Sequence, residues 1–116
     1  MKFKQATMIM SVFSAGVLAL GLTTPSAAAD DDAAQALAKR SGCLTWHAVD
    51  KKKEGPAYKD VAAKYKGKAD AVDKVTHHIT TGEKVKFEDG REEDHNVVKS
   101  GDPAAIKNLV EWILSR

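Results

Sequence analysis

The sequence predicts a small all-α protein with about four helices and little or no sheet. Apolar residues recur at helical spacing in several segments, most clearly in residues 106–114. Aspartate and proline stand where helices would begin, and glycines stand where they would end. Alternation of apolar and polar residues, which is typical of strands, is confined to the stretch around Val85 and Phe87.

The first 29 residues have the features of a signal peptide. Lys2 and Lys4 precede an uncharged apolar run at 6–22, and three alanines at 27–29 form a small-residue cleavage site. We therefore expect a secreted, periplasmic protein with one domain at 30–116. The alternative is a retained membrane anchor, for which the apolar run is slightly short.

Four helices are predicted along the mature chain. Residues 30–41 combine three aspartates at the start with Lys39 and Arg40 at the end, which suits the helix dipole. Residues 57–66 and 70–80 carry apolar residues at 3–4 spacing, with Val72, Val75 and Ile79 on one side of the second. The last helix begins at an Asp102 cap and has an apolar stripe at i, i+3, i+4, i+7 and i+8. Residues 83–101 are polar, with room for a short extended piece.

The balance of basic and acidic residues argues against nucleic-acid binding, and their distribution is compatible with a charged protein partner. Without Lys2 and Lys4, the basic and acidic residues of the mature chain balance. Their distribution is uneven, with nine basic and three acidic residues in 39–68 but six acidic and three basic in 83–94. This pattern suits a monomer that meets a redox partner through weak electrostatic encounters, although an ordinary solvated surface has the same composition.

Cys43 is the residue that most needs a chemical explanation. It is the only cysteine, so no disulfide can form within the chain. An unpaired thiol in an oxidising compartment would pair or oxidise unless it has a partner. His47 follows four residues later, on the same face of a helical turn.

The surroundings of Cys43 resemble the class I c-type cytochromes, in particular the small bacterial c551/c552 group. The resemblance rests on Ser-Gly-Cys at 41–43, His-Ala-Val-Asp at 47–50, Gly-Pro-Ala-Tyr-Lys-Asp-Val-Ala at 55–62, and Val-Glu-Trp-Ile-Leu-Ser at 110–115. It implies a cytochrome c fold around one haem. By this resemblance Cys43 binds the haem covalently, His47 is the proximal iron ligand, and the Pro56 carbonyl accepts a hydrogen bond from its imidazole. Trp112 would pack across the first helix near the haem edge.

The chain departs from the family at two positions. Trp46 stands where the second cysteine of Cys-x-x-Cys-His belongs, so at most one thioether can form, giving singly linked haem c or an unlinked haem b. The methionine that supplies the sixth iron ligand is also missing, since every methionine lies in residues 1–10. His95 occupies that region and is the first candidate ligand; His77, His78, Asn96, water or an open position are the alternatives.

The predicted function is electron transfer by one haem iron, without substrate turnover. No paired carboxylates, hydroxyl nucleophile or phosphate-binding loop is recognisable in the sequence. Three alternatives remain: a five-coordinate haem module that binds gases, a haem-free protein that binds Zn²⁺ or Cu, and a vestigial domain that folds poorly. The metal-binding alternative would use Cys43, His47 and one or two of the other histidines.

Overall fold

A computed structural model describes residues 29–116 of the chain, together with Gly16 and Gly21. It contains the four predicted helices, a four-residue helix that begins at Cys43, and a two-stranded hairpin. The elements are α1 (Asp31–Arg40), α2 (Cys43–Trp46), α3 (Tyr58–Tyr65), α4 (Ala71–Thr81), β1 (Lys84–Lys86), β2 (Glu92–Asp94) and α5 (Pro103–Leu114). The mostly helical fold class predicted from the sequence is confirmed.

The predicted signal peptide lies outside the described residues, apart from two glycines and Ala29. Its cleavage after Ala29 therefore stays a prediction. Within residues 29–116, no helix combines the length and the apolar character needed to cross a membrane.

Helix α1 is capped and charged as the sequence predicts. The Asp30 carboxylate accepts a hydrogen bond from the Ala33 amide, and two further aspartates lie in the first turn. Its buried face consists of Ala34, Leu37 and Ala38, which pack against α5. Asn108 ties the helices together by exchanging two hydrogen bonds with the backbone of Asp30, at 2.7 and 3.0 Å.

Helix α5 is the centre of the packing. The Asp102 carboxylate accepts from the Ala104 amide, and Pro103 occupies the first helical position. The helix contacts α1, α3 and α4, and its apolar stripe supplies much of the core. Its buried residues are Leu109, Val110, Trp112 and Ile113.

The predicted apolar side of α4 needs one correction. Ala71, Val75 and Ile79 are buried at i, i+4 and i+8, whereas Val72 is 37% exposed. Each residue advances about 100° around a helix, so Val72 is turned away from the row that faces α5. Val72 is therefore not part of the buried face of α4, although the sequence analysis placed it on the same side as Val75 and Ile79.

The polar segment after α4 folds as an antiparallel hairpin. Gly82 ends the helix in the left-handed conformation with φ of 66°. Strand β1 then pairs with β2, with Val85 opposite Glu93 and Lys84 opposite Asp94. The His95 amide donates to the Glu83 carbonyl at 2.9 Å, which fixes the residue directly after the hairpin. The hairpin thereby determines where His95 lies.

Candidate functional site

The sequence-predicted site residues line one large open cavity of about 1030 Å³. Its size is at the upper end of ordinary small-molecule and cofactor sites. Its wall includes several apolar side chains from α3, α4, α5 and the hairpin: Val61, Val75, Ile79, Val85, Phe87 and Ile113. Cys43, Trp46, His47, Pro56 and His95 all lie in this wall, so the structure brings together every predicted site residue.

The segment Cys43–His47 folds as one helical turn followed by an extended residue. The His47 amide donates to the Cys43 carbonyl at 2.9 Å, and His47 itself has φ of −126° and ψ of 148°. The thiol of Cys43 is buried, and burial raises its pKa, so it is protonated at neutral pH. This turn places a thiol and an imidazole on the same cavity wall.

His47 is held by a carbonyl on one side and a ring on the other. Its Nδ1 donates to the Pro56 carbonyl at 2.7 Å, which leaves Nε2 as the nitrogen available to a ligand. Tyr58 stacks on the imidazole with ring centres 5.0 Å apart and an interplanar angle of 19°. Burial lowers the pKa of His47, and the nearby His78 lowers it further, so the ring is neutral at neutral pH. A neutral, oriented imidazole is suited to binding a metal.

His95 lines the same cavity and is held in a similar way. Its Nδ1 donates to the Asn96 carbonyl at 2.8 Å, and its pKa is lowered by burial and by His78. The ring centres of His47 and His95 are 6.1 Å apart. An imidazole nitrogen binds a divalent metal at about 2 Å and lies roughly 1 Å from its ring centre, so two imidazoles on opposite sides of one ion are about 6 Å apart. The observed separation matches that value.

The other two histidines are engaged by a carboxylate. Glu83 accepts a hydrogen bond from His77 and another from His78, each at 3.0 Å. These contacts hold the pKa of the Glu83 carboxyl below its usual range, His78 being the larger cause. His78 also lies against His95, with ring centres 4.1 Å apart. His78 thus lies beside His95, and Glu83 links His78 to His77.

Trp46 lies on the cavity wall beside the hairpin. Its ring centre is 6.0 Å from that of Phe87, and the guanidinium of Arg91 lies 4.7 Å from the centre of the Phe87 ring. Arg91 pairs with Glu54 at 3.2 Å, and Lys52 pairs with Glu88 at 2.9 Å. The hairpin therefore contacts α2 through one aromatic pair and the loop after His47 through two exposed ion pairs.

Tyr58 and Gly55 are site residues that the sequence analysis did not single out. Tyr58 is buried, and burial raises the pKa of its hydroxyl. Its ring meets Trp112 edge-on at 5.6 Å, so Tyr58, and not Trp112, lines the cavity. A Cβ at Gly55 would stand 2.5 to 3.0 Å from three atoms of the His47 ring, so only glycine allows the ring its position. Both residues lie in the Gly-Pro-Ala-Tyr-Lys-Asp-Val-Ala stretch at 55–62, and that stretch was the sequence feature from which they could have been identified.

The residues present fit the haem that the resemblance implies. The cavity is large, mostly apolar, and carries one buried thiol near one imidazole, with a second imidazole facing the first. Each imidazole donates a hydrogen bond from Nδ1 to a backbone carbonyl, which is the arrangement that orients histidine ligands. Within the described residues, no group of three or more His, Cys, Asp or Glu side chains is arranged to hold a metal ion by itself.

Comparison with known proteins agrees with the residue pattern. No family model matches the chain. The cytochrome c-552 of Hydrogenobacter thermophilus is 42% identical over 79 residues, covering 68% of this chain and 76% of the relative. The cytochrome c-551 of Allochromatium vinosum is 41% identical over 90 residues, covering 78% and 88% of the two chains.

Solved structures give the same result. The class 1 cytochrome MtoD from Sideroxydans lithotrophicus ES-1 is 57% identical, with a TM-score of 0.73, covering 76% of this chain and 97% of that one. Cytochrome c552 of Nitrosomonas europaea is 34% identical, with a TM-score of 0.56, covering 70% and 96%.

Proposed function

Since the chain belongs to the class I c-type cytochromes, among the small c-551 and c-552 proteins, we propose that it is a periplasmic carrier of single electrons. Cys43 would hold one haem through a thioether, and His47 and His95 would bind its iron. The haem iron, when bound, supplies the one-electron chemistry. The observation that carries the proposal is the 6.1 Å separation of the two imidazoles across an apolar cavity.

The protein's own part is to bind the haem, to orient the residues that bind its iron, and to exclude water. Pro56 and Asn96 fix the two imidazoles through their carbonyls, and Tyr58 supports the His47 ring from behind. The apolar side chains of the wall would exclude water from around the bound haem. Ligands fixed before electron transfer need little rearrangement, which suits a carrier better than an enzyme. We therefore propose no substrate turnover.

The exported protein tests this proposal directly. We expect its mass to equal that of residues 30–116 plus one haem, and the haem to resist acid–acetone extraction. The pyridine haemochrome spectrum should show one unsaturated vinyl group, because Trp46 cannot form a thioether. A mass that includes residues 1–29 would contradict the cleavage site, and haem that extracts fully would contradict the thioether.

The second candidate function is a five-coordinate haem module that binds small gases. It requires that no side chain binds the iron opposite His47, and the 6.1 Å separation of the His47 and His95 ring centres supports the six-coordinate alternative. The haem-free zinc or copper protein requires three or more ligands at one point, and the described residues bring no such group together. Carbon monoxide added to the reduced native protein distinguishes the electron carrier from the gas-binding module. A six-coordinate iron gives little spectral change, whereas a five-coordinate iron binds the gas.

A substitution at Gly55 tests whether the His47 ring needs its close packing. We expect Gly55→Ala to displace the ring from Pro56, weaken low-spin iron absorption, and lower the free energy of unfolding by about 1–3 kcal/mol, as overpacking does. Gly101→Ala is the matched control, because a Cβ there meets nothing within 4 Å. Denaturant titration with absorbance of the iron measures both effects. Equal behaviour of the two variants would show that the packing at Gly55 is unimportant.

A further inference from the structure

The hairpin of β1 and β2 forms part of the cavity wall but has little packing to support it. Several of its residues line the cavity, among them Val85, Phe87 and Glu93. In each strand only the middle residue is half-buried, and its two neighbours are exposed. Helix α5 packs against α1, α3 and α4, whereas neither strand makes comparable contacts with a helix of the described chain. The position of such a segment depends on the contacts at its far end.

The far end of the hairpin is held by three side chains, Trp46, Phe87 and Arg91, which we call the aromatic clamp. The half-buried rings of Trp46 and Phe87 lie with their centres 6.0 Å apart and their planes at 37°. The guanidinium of Arg91 covers the Phe87 ring at 4.7 Å. Arg91 also donates to Asp89 at 2.7 Å and to Glu93 at 2.8 Å, so its cation is fixed within the hairpin. The clamp therefore joins the turn of the hairpin to α2.

The exposed ion pairs beside the clamp contribute less to holding the hairpin. The side chains of Lys52 and Glu88 are 62% and 92% exposed, and ion pairs of such exposure contribute little to stability. The contact between Trp46 and Phe87 is half-buried and carries no charge that salt could screen. The two rings are therefore the main attachment of the turn.

His95 is part of the same unit as the hairpin. It directly follows β2, and its amide donates to the Glu83 carbonyl at 2.9 Å. The chain is fixed to the helices again at Val98, which is buried and whose amide donates to a carbonyl of α4 at 2.9 Å. Between these fixed points lie Gly82 on one side and residues 96–97 on the other. A few residues at the ends of elements can absorb the backbone rotation of a hinge, so a swing of the hairpin would carry His95 with it.

We propose that the aromatic clamp positions the sixth iron ligand. The closed clamp keeps the hairpin, and with it His95, against the haem cavity; release of the clamp lets the hairpin swing and withdraws His95. The inference rests on the proposed function, because His95 must be the ligand. Phe87 and Arg91 are positioning residues, since they act through His95. Trp46 then has a role of its own, because the indole is the surface on which the hairpin closes.

The rate at which cyanide binds to the ferric holoprotein tests the proposal. The carbon of cyanide bonds to the iron as the bond from the His95 imidazole breaks, so the rate at saturating cyanide measures how fast His95 leaves. We expect Phe87→Ala to raise this rate roughly three- to tenfold, the factor that an aromatic pair contributes, while the resting spectrum stays low-spin. Phe87→Tyr keeps an aromatic ring and should restore the native rate.

Two further variants separate the clamp from a general loosening of the hairpin. Lys84→Gln is the matched control, because it removes an ion pair with Asp94, at 2.6 Å, that lies within the hairpin. The double variant of Trp46→Ala with Phe87→Ala should be no faster than either single variant, because both remove the same contact. Equal rates in Phe87→Ala and Lys84→Gln would overturn the clamp, and so would rate increases that multiply in the double variant.

Failure of the clamp is distinguishable from failure of the proposed function. In His95→Ala, cyanide should bind without the slow step, because no imidazole has to leave. A native protein that binds cyanide as fast as His95→Ala would show that His95 is not the ligand. A slow native protein whose rate is unchanged by Phe87→Ala would leave the ligand in place and overturn the clamp alone.

Discussion

Replacing His95 with alanine is expected to open one coordination position on the iron. The substitution removes the imidazole whose ring centre lies 6.1 Å from that of His47. The ferric absorption spectrum should change from low-spin to high-spin, and the reduced protein should bind carbon monoxide. The expected change is nearly complete, because a ligand is either bound or absent.

Two further variants separate ligation from a general disturbance of the hairpin. His77→Ala is the control, since His77 is exposed and also pairs with Glu83, and we expect its spectrum to stay low-spin. His95→Met should restore a six-coordinate iron and raise the midpoint potential, because a thioether ligand favours the reduced state relative to imidazole. A low-spin spectrum retained in His95→Ala, together with loss of low-spin absorption in His78→Ala, would move the ligand to His78.

Replacing Trp46 with cysteine is expected to add a second covalent link to the haem. Position 46 lies on the same helical turn as Cys43 and on the same cavity wall. The haemochrome spectrum should shift to that of two saturated vinyl groups, and the haem should become still harder to extract. The absorption maximum of the haemochrome measures the link directly.

The sign of the stability change follows from two magnitudes. Losing the contact between Trp46 and Phe87 costs about 0.5–1.5 kcal/mol. A second link between positions 43 and 46 closes only a short loop, for which the loop-closure relation for a disulfide gives about 2 kcal/mol. Trp46→Cys should therefore unfold at higher denaturant than the native protein, while the control Trp46→Ala should unfold at lower denaturant. A variant that keeps the native haemochrome spectrum would show that position 46 does not face the second vinyl group.

The fold could be predicted almost entirely from local signals. Asp30 and Asp102 mark helix starts because their carboxylates accept from amides that lack a helical partner. Gly82 marks a helix end because it adopts a left-handed backbone at low cost. The prediction for Val72 was wrong, because this side chain is exposed. Whether an apolar residue at the edge of a helical stripe is buried depends on which elements pack against it, and the helix's own sequence does not show that.

The candidate site was predictable only in part. Cys43, His47 and Pro56 belong to a contiguous pattern, so their spacing along the chain carries the signal. Tyr58 lies in the same stretch, yet its role behind His47 depends on how α3 is packed.

The sequence by itself determined the residue types available to an iron: one thiol at Cys43, no methionine beyond residue 10, and four histidines. It also determined that Trp46 leaves at most one thioether. Only the tertiary structure decided which histidine faces His47. The reason is physical, since the pairing of β1 with β2 and the bond from the His95 amide to Glu83 set the position of residue 95 across the cavity. That position depends on contacts between residues far apart in the chain, which a local pattern does not encode.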